Sequence, residues 1–206
     1  NPATAVQCGF KVDEIKADKR GRVDMEDFKA KLEDSSDIAG IMLTNPNTCG
    51  LFETDIREIA DLIHDNGGLV YMDGANMNAQ VGLARPAEFG ADVCHLNLHK
   101  TFSTPHGGGG PGSGPVGIKA LLEPHLPRPV VTRATSSGAT RYGLDFDRPG
   151  SIGRLHGNFG NVGMFVRAYA YIRALGPEGL TRCTEMAVLN ANYVLARLEK
   201  IFHVPY

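Results

Sequence analysis

No stretch of this 206-residue chain approaches the roughly 18 consecutive apolar residues that a membrane-spanning helix requires, so no transmembrane span is expected. Cysteine is sparse and scattered. Cys8, Cys49, Cys94 and Cys183 form no C-x-x-C pair and no cluster with histidine, which argues against metal or redox use. Free thiols in a reducing, cytoplasmic compartment are the expectation. Cys49 and Cys94 fall near the motifs described below, but neither has an activating base close in sequence. A strong charge of either sign is also lacking. Twenty-one Lys and Arg against 23 Asp and Glu leave a net charge of −2, which makes no electrostatic case for nucleic acid or an anionic membrane. The start, Asn1-Pro2-Ala3-Thr4-Ala5, lacks the basic and then apolar regions of a signal peptide. It also lacks an initiating Met and reads as a loop, while His203-Val204-Pro205-Tyr206 follows closely on a long helical pattern. Both ends are therefore expected to be cut from something larger. There is no internal repeat and no low-complexity tail.

What is present is ordinary in amount and unusual in placement. The apolar share is 42% and the charged share 21%, as in soluble globular proteins. The length suits one domain, or one and a half, with a sizeable core. The 25 glycines are concentrated, marking where backbone must bend or approach a ligand closely. Asp24 reads as an N-cap, with Asp27 at the third helical position, for a helix through about Leu32. Ile38 to Thr44 is a short apolar run, read as a buried strand. Thr54 reads as the cap of a helix in which Ile56, Ile59, Ala60 and Ile63 share a face, stopped by Asn66-Gly67-Gly68. Leu69 to Met72 is a second strand, ending at Asp73-Gly74. After a turn at Pro86 to Phe89, Asp92 to His99 is a third, and Val116-Gly117-Ile118 a fourth that returns along the sheet. Near Gly160 to Leu175 an apolar helix begins, Gly176 ends it, and Pro177 opens another that runs to about Lys200.

Strands separated by short helices indicate β-α-β units, an α/β fold and a mainly parallel sheet. Such sheets bind ligands beyond the carboxyl ends of their strands, which places Asn45, Asp73 and His99-Lys100 on one edge. An acid at the mouth of a buried strand needs a donor or a cation. Asp73 is thus either the cap of a turn or part of a site. In His95-Leu96-Asn97-Leu98-His99-Lys100-Thr101, strand alternation sets His95, Asn97 and His99 on one face. Lys100 is either a solvated surface residue or, if desolvated at the strand exit, an amine neutral enough to be a nucleophile. A carboxylate to face a ring nitrogen and a lysine to face an aldehyde, on successive strands, is what a pyridoxal 5′-phosphate site needs.

The residues reach further. Tyr71-Met72-Asp73-Gly74-Ala75-Asn76-Met77-Asn78-Ala79, then His95 through Phe102, then Pro105-His106-Gly107-Gly108-Gly109-Gly110-Pro111-Gly112-Ser113-Gly114-Pro115 closely resemble the P-protein family of the glycine cleavage system. The resemblance covers essentially the whole chain, including Asn1-Pro2-Ala3 and Leu144-Asp145-Phe146-Asp147-Arg148-Pro149. Leu43-Thr44-Asn45-Pro46-Asn47-Thr48 with Gly50-Leu51-Phe52-Glu53 looks most like subunit 2 of the two-subunit form.

The resemblance implies a three-layer, fold-type I transferase large domain over residues 1–160, incomplete at both ends. Residues 161–206 would be bridging helices and the start of a small C-terminal domain. Lys100 matches the Schiff-base lysine, Asp73 the partner of the pyridinium nitrogen, and Ala75 the small residue packed on the ring. His99 matches a cofactor-contacting histidine, at the phosphate. Asn97 is a further residue facing the cofactor, and Asn45 lies where related enzymes place a group on the ring hydroxyl. The implied activity is decarboxylation of glycine with transfer of the aminomethyl group to the lipoyl arm of H-protein, beside a subunit 1 partner in a heterotetramer. The residue that stacks on the ring would lie upstream of Asn1. The glycine-rich segment after Pro105 is either a mobile turn or a lid over the site. His106, His156 and Arg154 are each either catalytic or polar filler. Two other readings stay open: another fold-type I enzyme, such as an aminotransferase or amino-acid decarboxylase, and a scaffold subunit without cofactor.

Overall fold

Four short apolar runs assemble into the sheet that organises the chain. In the computed structural model, which describes residues 1–34, 37–106, 108, 112–155 and 159–206, they are β1 (Gly40–Thr44), β2 (Leu69–Gly74), β3 (Val93–Leu96) and β4 (Val116–Ile118), in that spatial order. The first three are parallel and β4 is antiparallel to β3, so the sheet is the mainly parallel one expected. The helices are α1 (Pro2–Gln7), α2 (Met25–Asp34), α3 (Ile56–Asp65), α4 (Leu98–Thr101) and α5 (Val162–Leu198). Single 3-10 turns span Pro86–Phe89 and Ala120–His125.

Parallel neighbours need a crossover, and α3 supplies it between β1 and β2. Ile56, Ile59, Ala60 and Ile63 fall at helical spacing and are all 4% exposed or less. α2 starts at the foreseen cap: Asp24 Oδ1 accepts the N–H groups of Glu26 and Asp27 at 3.1 and 3.2 Å. Thr54 does not cap α3. Asp55 holds that position without a side-chain bond, and Thr54 Oγ1 instead accepts a hydrogen bond from Arg22.

α2 and α3 cover one face of the sheet, packing Phe28, Leu32, Ile59 and Ile63 against Ile41 and Val70. Met72, Ile56, Met77, Phe89 and Ala91 continue that core toward the carboxyl ends. Phe28, Ile59, Ile63, Val70 and Met72 are all at most 2% exposed, and each such burial stabilises by about 1.5–3 kcal/mol. Because strand side chains alternate, burying Val70 and Met72 sends Tyr71 and Asp73 to the opposite face. That face is only partly covered: Met42 is 37% and Val116 58% exposed.

Three elements depart from the sequence reading. α1 is a helix where a loop was expected, with Pro2 in its first turn. A hairpin of β5 (Val130–Ser136) and β6 (Ala139–Asp145) was not foreseen. Its two-residue turn, Ser137-Gly138, has both φ angles positive, at 51° and 80°, which fits the twist of a tight hairpin. The third departure, the early end of β3, shapes the site and is described below. α5 breaks at Gly176 (φ 64°, ψ −177°) and resumes at Pro177, as the Gly-Pro pair predicts.

The amino end of β3 is held by Asp92, whose side chain is 2% exposed. Its carboxylate accepts from Val70 N–H at 2.8 Å, faces His64 Nε2 at 2.7 Å and pairs with Lys119 Nζ at 2.8 Å. Burial pushes this acid up, but Lys119, the Val70 N–H and His64 together outweigh it and hold the carboxyl below its ordinary range. A depressed carboxyl contributes stability that is present above its unfolded pKa, near 4, and is lost as acid protonates the folded form. Asp92→Ala should therefore destabilise the fold by about 2–3 kcal/mol at neutral pH, since it leaves the Val70 N–H, Lys119 and His64 without their acceptor. Urea unfolding at pH 7 and at a series of values below pH 4 checks this; the deficit should hold down to about pH 4 and shrink only below it.

Candidate active site

The parallel register decides which side chains meet at the carboxyl edge. Thr44, Asp73 and His95 are aligned across β1, β2 and β3. Asp73 Oδ1 accepts the N–H of Ala75 at 2.9 Å and lies 3.3 Å from His95 Nε2. Asn1 Nδ2 donates to the other oxygen, Oδ2, at 2.6 Å. Behind them, the Tyr71 hydroxyl meets His95 Nδ1 at 2.9 Å. Burial raises Asp73, but the Asn1 amide, the Ala75 N–H and the neighbouring His95 and Lys100 outweigh it, so its carboxyl lies below the ordinary range and stays ionised. Burial and the Asp73 charge push the Tyr71 hydroxyl up, and they do the same to the Cys94 thiol. Gly74 allows this closeness: a Cβ there would sit 2.8 Å from the His95 carbonyl oxygen, which is backbone and cannot give way.

The third strand was expected to run through His99, but it stops at Leu96. The Asn97 N–H bonds to Ala75 O at 3.3 Å, and the Asn97 carbonyl accepts from the N–H groups of Lys100 and Thr101 at 3.1 and 3.2 Å. The chain thereby leaves the sheet and closes the helical turn α4. His95, Asn97 and His99 consequently do not form one alternating strand face. The turn is tied back to the loop after Asp73: Thr101 Oγ1 accepts from Met77 N–H at 3.1 Å, and Asn78 Nδ2 donates to Lys100 O at 3.1 Å. Ala75, Met77 and Asn78 thus hold the lysine turn relative to the carboxylate.

Lys100 is exposed, so the burial expected at the strand exit is not supplied here. It opens on a cleft of about 760 Å³ lined also by Asn78, His99, Thr101, Thr104, Arg167 and Tyr171. His99 Nδ1 is buried with no hydrogen-bond partner among the described residues, and so is Thr104 Oγ1. Burial, and the nearby His106 and Lys100, push the His99 imidazole below its ordinary pKa, which favours the neutral ring. The His99 and His106 rings meet edge-on at 4.2 Å between centroids. Asn45 is 1% exposed and braces its own loop: its Oδ1 accepts Glu53 N–H at 2.9 Å, and its carbonyl accepts from Gln80 Nε2. Its Nδ2 is buried without a partner among the described residues. Of the glycine-rich segment, Gly107, Gly109, Gly110 and Pro111 lie outside the described residues, as does His156; Arg154 is exposed. Among the described residues no group of three or more His, Cys, Asp or Glu is arranged to hold a metal.

The sequence reading did not single out Asn1, Tyr71, Asn78, Arg167 or Tyr171. Two signals were legible: Tyr71 stands two residues before Asp73, hence on its face, and Arg167 and Tyr171 lie one helical turn apart. What they would face was not.

Residues 1–109 match the family Aminotransferase class-V. The chain is 57% identical, over 207 aligned residues, to the probable glycine dehydrogenase (decarboxylating) subunit 2 of Chlorobium phaeovibrioides, and all of it aligns with 42% of that protein. It is 56% identical to the protein of the same name from Desulforamulus reducens, aligning in full with 41% of it. The chain thus spans somewhat less than half the length of these curated relatives. In three dimensions it superposes on a glycine decarboxylase (P-protein) of the glycine cleavage system, in inhibitor-bound form, with a TM-score of 0.68. That match has 24% identity and covers 86% of this chain and 40% of the other. Mouse CSAD in apo form superposes with a TM-score of 0.66 at 18% identity, over all of this chain and 44% of that one. These two likenesses establish a shared α/β fold. With more than half of its residues matched, the chain belongs to the class-V aminotransferase family.

Proposed function

We propose that this chain is the cofactor-bearing part of a cytoplasmic, pyridoxal 5′-phosphate-dependent enzyme that decarboxylates glycine and passes the aminomethyl group to the lipoyl arm of H-protein, working with a subunit 1 partner in a heterotetramer. In this reading residues 1–160 belong to the large domain, and 161–206 bridge into a smaller one. The names of the relatives at 56–57% identity support the reaction and the existence of a partner subunit. The observation that carries the reading is local: an ionised Asp73 is tied through Ala75, Met77 and Asn78 to the turn that bears Lys100.

The donor set fits the cofactor. Asp73 offers a carboxylate to a protonated ring nitrogen, and Ala75 is small enough to lie under a ring. Lys100 offers an amine to the aldehyde. His99 Nδ1, buried and unpartnered among the described residues, is a polar atom in want of a ligand group, and Asn97 lies beside it at the start of α4. Asn45 would reach the ring oxygen through its unpartnered Nδ2. When bound, pyridoxal phosphate supplies an electron sink for the pair left behind as a carboxylate departs. The protein's own part is to keep Asp73 ionised, to hold the lysine turn in register with it, and to orient the substrate. Arg167 lines the Lys100 cleft from α5 and, among the described residues, forms no ion pair or hydrogen bond. It is the cation best placed to hold the glycine carboxylate.

Two measurements test this reading. Borohydride treatment of the complete protein should fix the cofactor to Lys100, located by peptide mapping. Lys100→Ala should abolish both that adduct and the glycine-dependent exchange of labelled bicarbonate, which should itself require H-protein. Exchange that proceeds without H-protein, or an adduct on another lysine, would refute it. Arg167→Gln should raise KM for glycine about 10- to 100-fold with a smaller change in kcat, because a charged hydrogen bond to a carboxylate is worth about 1.5–3 kcal/mol. Steady-state kinetics read this directly.

A further inference from the structure

Asp73 is not alone on its face of the sheet. His95 stands directly across from it on β3, and Tyr71 stands two residues before it on β2, with the three side chains linked in a row. We propose that the Tyr71–His95 pair is a positioning device, which locks Asp73 into the orientation that offers one oxygen lone pair to the cofactor's ring nitrogen. This rests on the pyridoxal phosphate reading above and adds to it two residues acting through a third.

The argument is one of hydrogen-bond accounting. An ionised carboxylate is acceptor-only, with about four lone-pair sites. Oδ1 accepts the Ala75 N–H at 2.9 Å and lies 3.3 Å from His95 Nε2. Oδ2 accepts from the Asn1 amide at 2.6 Å. Hydrogen bonds from Ala75 and Asn1 fill one site on each oxygen, the His95 ring flanks Oδ1 at ion-pair distance, and a site on Oδ2 remains for a ring N–H. The nitrogen facing an acceptor-only group must carry hydrogen, so a neutral His95 is protonated on Nε2. Its Nδ1 is then an acceptor, and the Tyr71 hydroxyl, at 2.9 Å, must be the donor. Burial and the Asp73 charge, which push the Tyr71 hydroxyl up, keep that proton in place.

The pair is itself held rigidly. Tyr71 and Asp73 occupy successive positions on one face of β2 and cannot move apart without breaking the ladder to β1 and β3. The Tyr71 and His95 rings pack at 5.8 Å between centroids with a 39° tilt. The side chains of His95 and Asp73 are 20% and 16% exposed, so water competes weakly for either. Without the hydroxyl, the imidazole loses the bond that selects its tautomer, and Nδ1–H becomes accessible. Nε2 would then turn a lone pair toward a carboxylate, and Asp73 would lose its fixed rotamer.

The first test needs no cofactor. In the apo form of the complete protein, with nitrogen-15-labelled histidine, long-range NMR correlations should show His95 as the Nε2–H tautomer. Tyr71→Phe should convert a substantial fraction to Nδ1–H. A wild-type ring protonated on Nδ1, or a tautomer unmoved by Tyr71→Phe, would overturn the proposal. The second test uses the loaded protein. Tyr71→Phe should speed cofactor dissociation about three- to tenfold. His95→Leu should speed it tenfold or more and shift the nitrogen-15 resonance of the labelled ring nitrogen toward the unprotonated value. His95→Gln, which keeps a donor of similar reach, should restore most of both. Circular dichroism and a thermal melt identify variants that have not folded; if His95→Leu is one of them, the comparison of Tyr71→Phe and His95→Gln with wild type decides the matter alone. Folded variants with wild-type dissociation and ring-nitrogen shift would sink the device. A wild type that binds no pyridoxal phosphate would instead sink the reading on which it rests, and the apo tautomer measurement separates these outcomes.

Discussion

The register between β2 and β3 is the constraint on which the rest depends. It aligns Asp73 with His95 and Gly74 with Leu96. It is held by burial rather than by the polar residues it aligns. Val70 and Met72, at 1% and 0% exposure, must face α3, and a slip by one residue would turn both toward the open face. The hydrophobic core thus sets, as a side effect of its own packing, which polar groups stand next to Asp73. Its energy exceeds anything the site residues could supply, so the site can be chemically tuned without deciding the fold.

Two carboxylates, Asp92 just before β3 and Asp73 near the carboxyl end of β2, differ in what they leave open to a ligand. Asp92 is 2% exposed and meets Lys119, His64 and a backbone N–H. Its side chain is closed to solvent, so its remaining lone pair is out of a ligand's reach. Asp73 sits at the open edge with hydrogen bonds from the Asn1 amide and the Ala75 N–H, His95 3.3 Å away and a lysine turn nearby. Both acids are depressed against the effect of burial: Lys119, the Val70 N–H and His64 do this at Asp92, and the Asn1 amide, the Ala75 N–H, His95 and Lys100 at Asp73.

The lysine is positioned by backbone as much as by side chains. Had β3 continued through His99, the lysine would stand on an extended segment pointing along the sheet. Instead the Asn97 N–H is spent on Ala75, its carbonyl starts α4, and the loop after Asp73 grips the turn at Lys100 and Thr101. The backbone at Lys100 is therefore tied to the loop that follows Asp73. That loop begins at Gly74, where the His95 carbonyl leaves no space for a side chain.

Sequence alone determined the α/β class, the mainly parallel sheet, the inward face of α3, the cap at Asp24, the break at Gly176-Pro177 and the strand-end position of Asp73. Each follows from local periodicity or from the backbone preferences of single residues, which act over a turn or two of chain. It also marked Lys100 and His99 as residues worth explaining, chiefly through long motifs. It did not show that β3 ends at Leu96, because that depends on an acceptor at Ala75, contributed by another strand's exit. Nor did it show the pairing of His95 with Asp73 and Tyr71, or the approach of Arg167 to the Lys100 cleft. Those are contacts between segments remote in sequence, and only the packed core brings them together.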